Sequence, residues 1–147
     1  HDGSAADALS AYFSSLTGRI AGEPKSVDIN QRAVNLLANA PGIAWATFST
    51  LCEEPRSAAD YVEMAREYHT VLIEQIPLLD RGKEDAARRF INLVDEFYDR
   101  NVKLIATAAQ PPEALYKGSR LRFEFDRTVS RLQEMRTQEY LKAEHRS

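Results

Sequence analysis

One stretch limits the architecture more than any other: two short apolar runs flanking a long amphipathic segment. Thr70 to Ile76 (TVLIEQI) is compact, rich in branched side chains and stopped by Pro77. It is too short for a helix and too continuous for a half-exposed strand, so it predicts a buried strand. Residues 83–100 then place Ala87, Phe90, Ile91, Val94, Phe97 and Tyr98 along one broad face, which predicts a helix that Asn101 ends. Val102 to Ala108 (VKLIATA) is a second compact run, terminated at Pro111-Pro112. A strand, a helix and a strand within about forty residues make a βαβ unit, whose right-handed crossover leaves the strands parallel with the helix on one face. The fold class is therefore α/β, with a small mixed, partly parallel sheet and flanking helices.

The remaining elements arrange themselves around that unit. Leu9, Tyr12, Phe13 and Leu16 recur at spacings of three and four, which predicts a short helix over 5–16, before Gly18, Gly22 and Pro24 break the chain. Val27 and Ile29, then Val34 and Leu36, flank the polar Asn30-Gln31-Arg32 and predict a β-hairpin. Pro41-Gly42 opens an extended run from Ile43 to Phe48. Ser57, with Asp60 three residues on, forms a capping-box pattern in front of a helix over about 58–68. Leu121, Phe123 and Phe125 alternate with Arg122 and Glu124, a period of two that predicts one more strand; Asp126 would then cap a final helix to about Leu141, with Val129, Leu132 and Met135 as its narrow apolar stripe. Residues 1–25 read as an N-terminal helix and linker, and 26–147 as one α/β module.

Function classes fall away in turn. A net charge of −3 over 147 residues offers no field for nucleic acid or anionic lipid. The charge is uneven: residues 1–116 carry 11 basic and 17 acidic side chains (net −6), whereas 117–147 carry 8 and 5 (net +3). Cys52 is the only cysteine, which excludes an internal disulfide, favours a reducing compartment and reads as a small core hydrophobe. No apolar run approaches the ~18–20 residues of a membrane span. The lack of an initiating Met predicts that the chain is cut from something longer.

Motifs for self-contained chemistry are missing. No G-x-x-x-x-G-K-[ST] cradle occurs; Arg81-Gly82-Lys83-Glu84 has Pro77 where the first glycine belongs and an acid where the magnesium-ligating hydroxyl belongs. Phe90 to Glu96 (FINLVDE) imitates a magnesium-binding strand end, but the apolar period continues to Phe97 and Tyr98, so Asp95 and Glu96 read as acids on a solvated helix face. No G-x-S-x-G turn exists. His1 and His145 are terminal, and no second histidine or cysteine stands at ligand spacing from His69, which reads as a polar strand-edge residue. No metal site is expected.

Five strings in order carry a resemblance: Leu51 to Tyr61 (LCEEPRSAADY), Tyr68 to Ile73 (YHTVLI) with Ile76-Pro77, Ala87 to Asp99 (ARRFINLVDEFYD), Val102 to Ala108 followed by Leu115-Tyr116, and Phe123 to Met135 (FEFDRTVSRLQEM) with Glu139-Tyr140-Leu141. They cover most of residues 42–141, and the chain resembles the C-terminal portion of the AFG-one-like ATPase family, whose bacterial branch is of the ZapE, cell-division type. The resemblance implies a piece of an AAA-type P-loop ATPase whose phosphate loop and magnesium-binding strand lie upstream. ATP and magnesium belong to the parent protein, and this piece alone should not hydrolyse ATP. It implies as partners the upstream ATPase core and, in bacteria, FtsZ, with room for an oligomer. The expected compartment is the bacterial cytoplasm, at or near the inner membrane, or the mitochondrion for a eukaryotic source.

Within that frame, arginines are the side chains such a piece can offer, because a guanidinium from a neighbouring domain is worth ~10³–10⁵ in phosphoryl-transfer rate. Arg127 and Arg131, at i and i+4, could present two forks on one helix face; the alternative is an ion-pair network with Glu124, Asp126 or the acidic first part of the chain. Arg88 and Arg89 form a second pair, with Glu84 or Asp85 as ordinary partners. Thr107, at the end of VKLIATA, stands where a sensor residue would stand in an ATPase sheet; the alternative is a plain strand-end hydroxyl. The rival to an ATPase piece is an independent protein-interaction module.

Overall fold

The structure is a computed structural model that describes residues 3–18 and 24–137. Its elements run α1 (Gly3–Thr17), β1 (Lys25–Ile29), β2 (Arg32–Leu36), β3 (Ala38–Ala40), β4 (Ile43–Thr47), α2 (Ala58–Glu67), β5 (Thr70–Ile76), α3 (Glu84–Asp99), β6 (Lys103–Ala108), α4 (Pro112–Leu115) and α5 (Arg122–Glu134). A π-helical turn spans Ser49–Glu53 and a 3₁₀ turn spans Arg81–Lys83. Leu16's side chain, residues 19–23 with Gly22, and the expected helix end at 138–141 lie outside the described residues.

The βαβ unit stands as the sequence predicts. β5 and β6 pair in parallel, Val71 against Leu104 and Leu72 against Ile105, with α3 between them in the chain. The four-stranded sheet has the order β3-β4-β5-β6; β4 is also parallel to β5, and only the three-residue β3 runs antiparallel. Leu9 and Phe13 of α1 pack on one face of this sheet, against Ile43, Leu72, Ala38 and Ala40. Ala44, Ala46, Val71 and Ile73 point to the other face and join the larger core with α2, α3 and α5. The continuous run of β5 is thus apolar on both sides, as a central parallel strand requires.

Local chemistry explains the boundaries. The hairpin of β1 and β2 turns at Asn30 and Gln31, both left-handed at φ 52 and 69, the pair of positive angles that matches the twist of flanking strands. Ser57 and Asp60 form the capping box of α2, with the Ser57 N–H donating to Asp60 Oδ2 at 2.9 Å. Asn101 (φ 56) ends α3 in a left-handed turn that lets the Val102 N–H reach the Phe97 carbonyl at 2.9 Å. Gly42 (φ 76) has no room for a β-carbon, which would stand 2.5 Å from the His69 ring.

Residues 121–125 correct the sequence reading. The expected strand is the first turn of α5, and Asp126 lies inside that helix, exposed, facing Arg122 at 3.8 Å rather than capping it. Leu121 and Phe125 are buried while Phe123 is 81% exposed. The spacing from Leu121 to Phe125 is four, so an alternation only five residues long also satisfies a helical stripe, continued by the buried Thr128 and Met135. The Leu121 N–H donates to the Tyr116 hydroxyl at 2.8 Å and fixes where the helix begins.

Candidate functional site

Three of the four arginines singled out above, Arg88, Arg127 and Arg131, meet on the seam between α3 and α5. Asp95 of α3 receives Arg127 Nη2 at 3.3 Å and also the Nη1 of Arg131. Three-quarters of the Arg131 and Asp95 side chains is covered (26% and 23% exposed), whereas half of Arg127 is open to solvent. Arg131 also lies over the Tyr98 ring, 5.1 Å from its centroid, and the Tyr98 hydroxyl donates to Glu134 at 2.8 Å. Arg88 closes the other end of the seam on Glu124 at 3.5 Å. Residues 88, 95 and 98 on α3 and 124, 127, 131 and 134 on α5 form matching rows, since positions three, four and seven apart share a helix face.

Expected and observed partners differ in part. Arg127 and Arg131 pair with Asp95, an acid of the first part of the chain as the ion-pair alternative allowed, rather than with Glu124 or Asp126; Asp95 itself, expected on a solvated face, anchors the seam. Arg88 and Arg89 leave Glu84 and Asp85 alone. Arg89 donates to the Cys52 carbonyl at 3.2 Å, tying α3 to the π-helical turn. Glu84 instead braces the loop after α4: it accepts from the Tyr116 hydroxyl at 2.5 Å and from the Ser119 and Arg120 N–H groups at 3.1 Å each. These bonds hold the Glu84 carboxyl below the usual carboxylate range, the Tyr116 bond foremost.

Thr107 lies at the carboxyl end of β6, the end of a parallel sheet where ligands of open α/β folds bind. Its hydroxyl accepts from the Gln75 N–H at 3.1 Å, at a register shift in β5 where Gln75 is left-handed (φ 65). Beside it, Trp45 Nε1 donates to Glu74 Oε1 at 2.8 Å, a pairing without a motif in the sequence. Also missed was Arg56, whose side chain is 3% exposed. It donates twice to the Thr50 carbonyl and once to Glu54, and clamps the turn between β4 and α2.

Cys52 is buried, and desolvation pushes its thiol up to about 12, with the Tyr61 hydroxyl as a weak partner at 3.9 Å. Such a thiol is inert as a nucleophile, in keeping with a core role.

With this geometry in place, relatives give the family. The model of the AFG1-like ATPase family matches residues 1–144. The chain belongs to the AFG1-like ATPases. It is 46% identical over 120 residues to cell division protein ZapE of Escherichia coli (strain K12), covering 82% of this chain and 32% of that protein. It is 32% identical over 170 residues to lactation elevated protein 1 homolog B of Danio rerio, covering 92% of this chain and 34% of that one. The chain thus spans about a third of the length of the curated relatives it matches. No solved structure matches it.

Membership in an ATPase family implies nucleotide and magnesium in the protein as a whole. Among the described residues no cluster of three His, Cys, Asp or Glu can hold a metal ion. The only Gly-Lys string, Gly82-Lys83, sits in a 3₁₀ turn where the Gly82 N–H is taken by Asp80 at 3.0 Å and Lys83 by Glu53 at 2.6 Å. Among the described residues no helix is long and apolar enough to cross a membrane.

Proposed function

We propose that this segment is the C-terminal module of an ATP-hydrolysing, AAA-type protein of the ZapE kind, with the phosphate loop and magnesium site outside residues 1–147. The observation that carries the reading is the α3–α5 seam: an ATPase-family segment without a phosphate cradle presents two arginines on one helix face, both oriented by a single carboxylate. An anchored guanidinium is pre-organised, and half of Arg127 remains available to a neighbouring group. The module's partner in this reading is the upstream ATPase core. A role in cell division takes up the name of the bacterial relative; FtsZ as the protein acted upon and a cytoplasmic location are parts of the proposal drawn from the family resemblance alone.

The test is ATP hydrolysis by the complete protein carrying Arg127→Ala, Arg131→Ala or Asp95→Ala. A phosphate-contacting arginine loses ~10³-fold or more in kcat on removal, measured at a temperature where the variant remains folded. Asp95→Ala, which frees both arginines, should cost far less than the arginine variants. Equal losses in all three mean that the seam matters only as structure.

A second reading, a non-catalytic interaction module, draws on the same seam, because both arginines already have a partner in Asp95. Unchanged hydrolysis in every variant, together with lost recruitment of a protein partner, decides for it.

A further inference from the structure

Resting on the reading of this segment as part of a longer ATPase, we propose that the open edge of β6, with the groove beside it, receives an extended apolar strand from the remainder of that protein. β6 is the last strand of the sheet. The Lys103 N–H donates to His69 O at 2.8 Å and the Ala109 N–H to Ile76 O at 2.9 Å, so the odd-numbered amides of this strand turn toward β5. By alternation the N–H and C=O groups of Leu104, Ala106 and Ala108 face away from it. Among the described residues no strand lies on that outer side.

The opposite edge is blunted by β3, which is three residues long and antiparallel. β6 is protected only at its start, by Lys103; after it the strand reads Leu-Ile-Ala-Thr-Ala, without proline or charge. Along it runs a groove of about 610 Å³, lined by Leu104, Ala108, Pro111, Leu115, Leu132 and Met135 and polar only near Gln110 and Arg136. Main-chain groups in a row beside an apolar groove select an extended segment that bonds through its backbone and drops alternate apolar side chains into the groove. The length of chain available supplies the occupant: two-thirds of each aligned relative lies outside the matched segment.

Hydrogen–deuterium exchange at the amides of Leu104, Ala106 and Ala108 tests the proposal, in the 147-residue chain and in the complete protein. Expected are fast exchange in the dilute short chain and at least ~100-fold slower exchange in the complete protein. Ala106→Lys should abolish that protection; the exposed Ala106 leaves the short chain's unfolding temperature unchanged. Protection already present in the dilute short chain means that its own residues cover the edge, and protection that grows with its concentration means a second copy does. Either result overturns the proposal, as does equal, fast exchange in both proteins. ATP hydrolysis by the complete protein, measured alongside, separates the two claims: protection without hydrolysis removes the ATPase reading and leaves the docked strand, whereas hydrolysis without protection does the reverse.

Discussion

The bond between Arg131 and Asp95 should be measurably coupled, and the bond between Arg127 and Asp95 should not. Both guanidinium groups share one carboxylate, but their surroundings differ: Arg131 is 26% exposed and lies over Tyr98, whereas Arg127 is 50% exposed and reaches Asp95 at 3.3 Å. Exposed ion pairs give ~0.2–1 kcal/mol, while hydrogen bonds to charged groups shielded from water give ~1.5–3. Three-quarters covered, Arg131 falls between these ranges, so a double-mutant cycle with Asp95→Ala should return about 1–1.5 kcal/mol for Arg131→Ala and about 0.3 for Arg127→Ala. Arg131→Ala by itself should cost about 2 kcal/mol, since it also removes a cation–π contact of ~0.5–1. Urea unfolding followed by far-UV circular dichroism at pH 7 resolves these values. In ~0.5 M salt the Arg127 coupling should vanish and more than half of the Arg131 coupling should survive, because screening acts mainly on exposed pairs. A coupling for Arg131 below about 0.3 kcal/mol, or one for Arg127 that equals it, would refute the assignment of Asp95 as the anchor of the seam.

Other sites give equally direct checks. Phe125→Ala should cost ~3–5 kcal/mol in urea unfolding and Phe123→Ser no more than ~0.5, the contrast demanded by a helix at 122–134; similar costs would restore a strand there. Cys52, its thiol pushed up to about 12 by burial, should resist a disulfide reagent at pH 8 in the folded protein and react at once in urea; rapid native labelling contradicts the packed core around the π-helical turn. Asp60 accepts from Ser57 N–H, Asn30 and Arg32, and these bonds, working against its burial, hold its carboxyl below the usual range. A carboxyl depressed on folding contributes stability that is full above its unfolded value of ~4 and lost as pH falls through its folded value. Wild-type stability should therefore decline below about pH 5 more steeply than that of Asp60→Asn; parallel pH profiles would show that Asp60 contributes nothing through its charge.

What was legible in the sequence, and what was not, divides by the distance over which a pattern is written. Thr70–Ile76, residues 83–100 and Val102–Ala108 each carry a complete period, and the βαβ unit follows from their order alone. Asn30-Gln31 and Ser57/Asp60 are likewise local devices, a turn and a cap, and both are present. Leu121–Phe125 fails because five residues cannot separate a period of two from a spacing of four; what decides is Tyr116, whose hydroxyl takes the Leu121 N–H. The three-residue β3 is too short to leave any period. The candidate site is harder still, since the arginine pattern is written in one helix and its meaning in another. Asp95 stands 32 and 36 residues before Arg127 and Arg131, and only the packing of α3 on α5 makes them neighbours. One matched signal was present: acids and bases repeating at spacings of three, four and seven on two amphipathic helices, opposite in sign row by row. Read as a pair, those rows imply docking of the two helices before any contact is seen. They also explain why an acid in a false magnesium-strand motif and an arginine in a candidate phosphate sensor belong to one device: the carboxylate is a ligand for guanidinium, and Asp95 holds both arginines on one side of the seam.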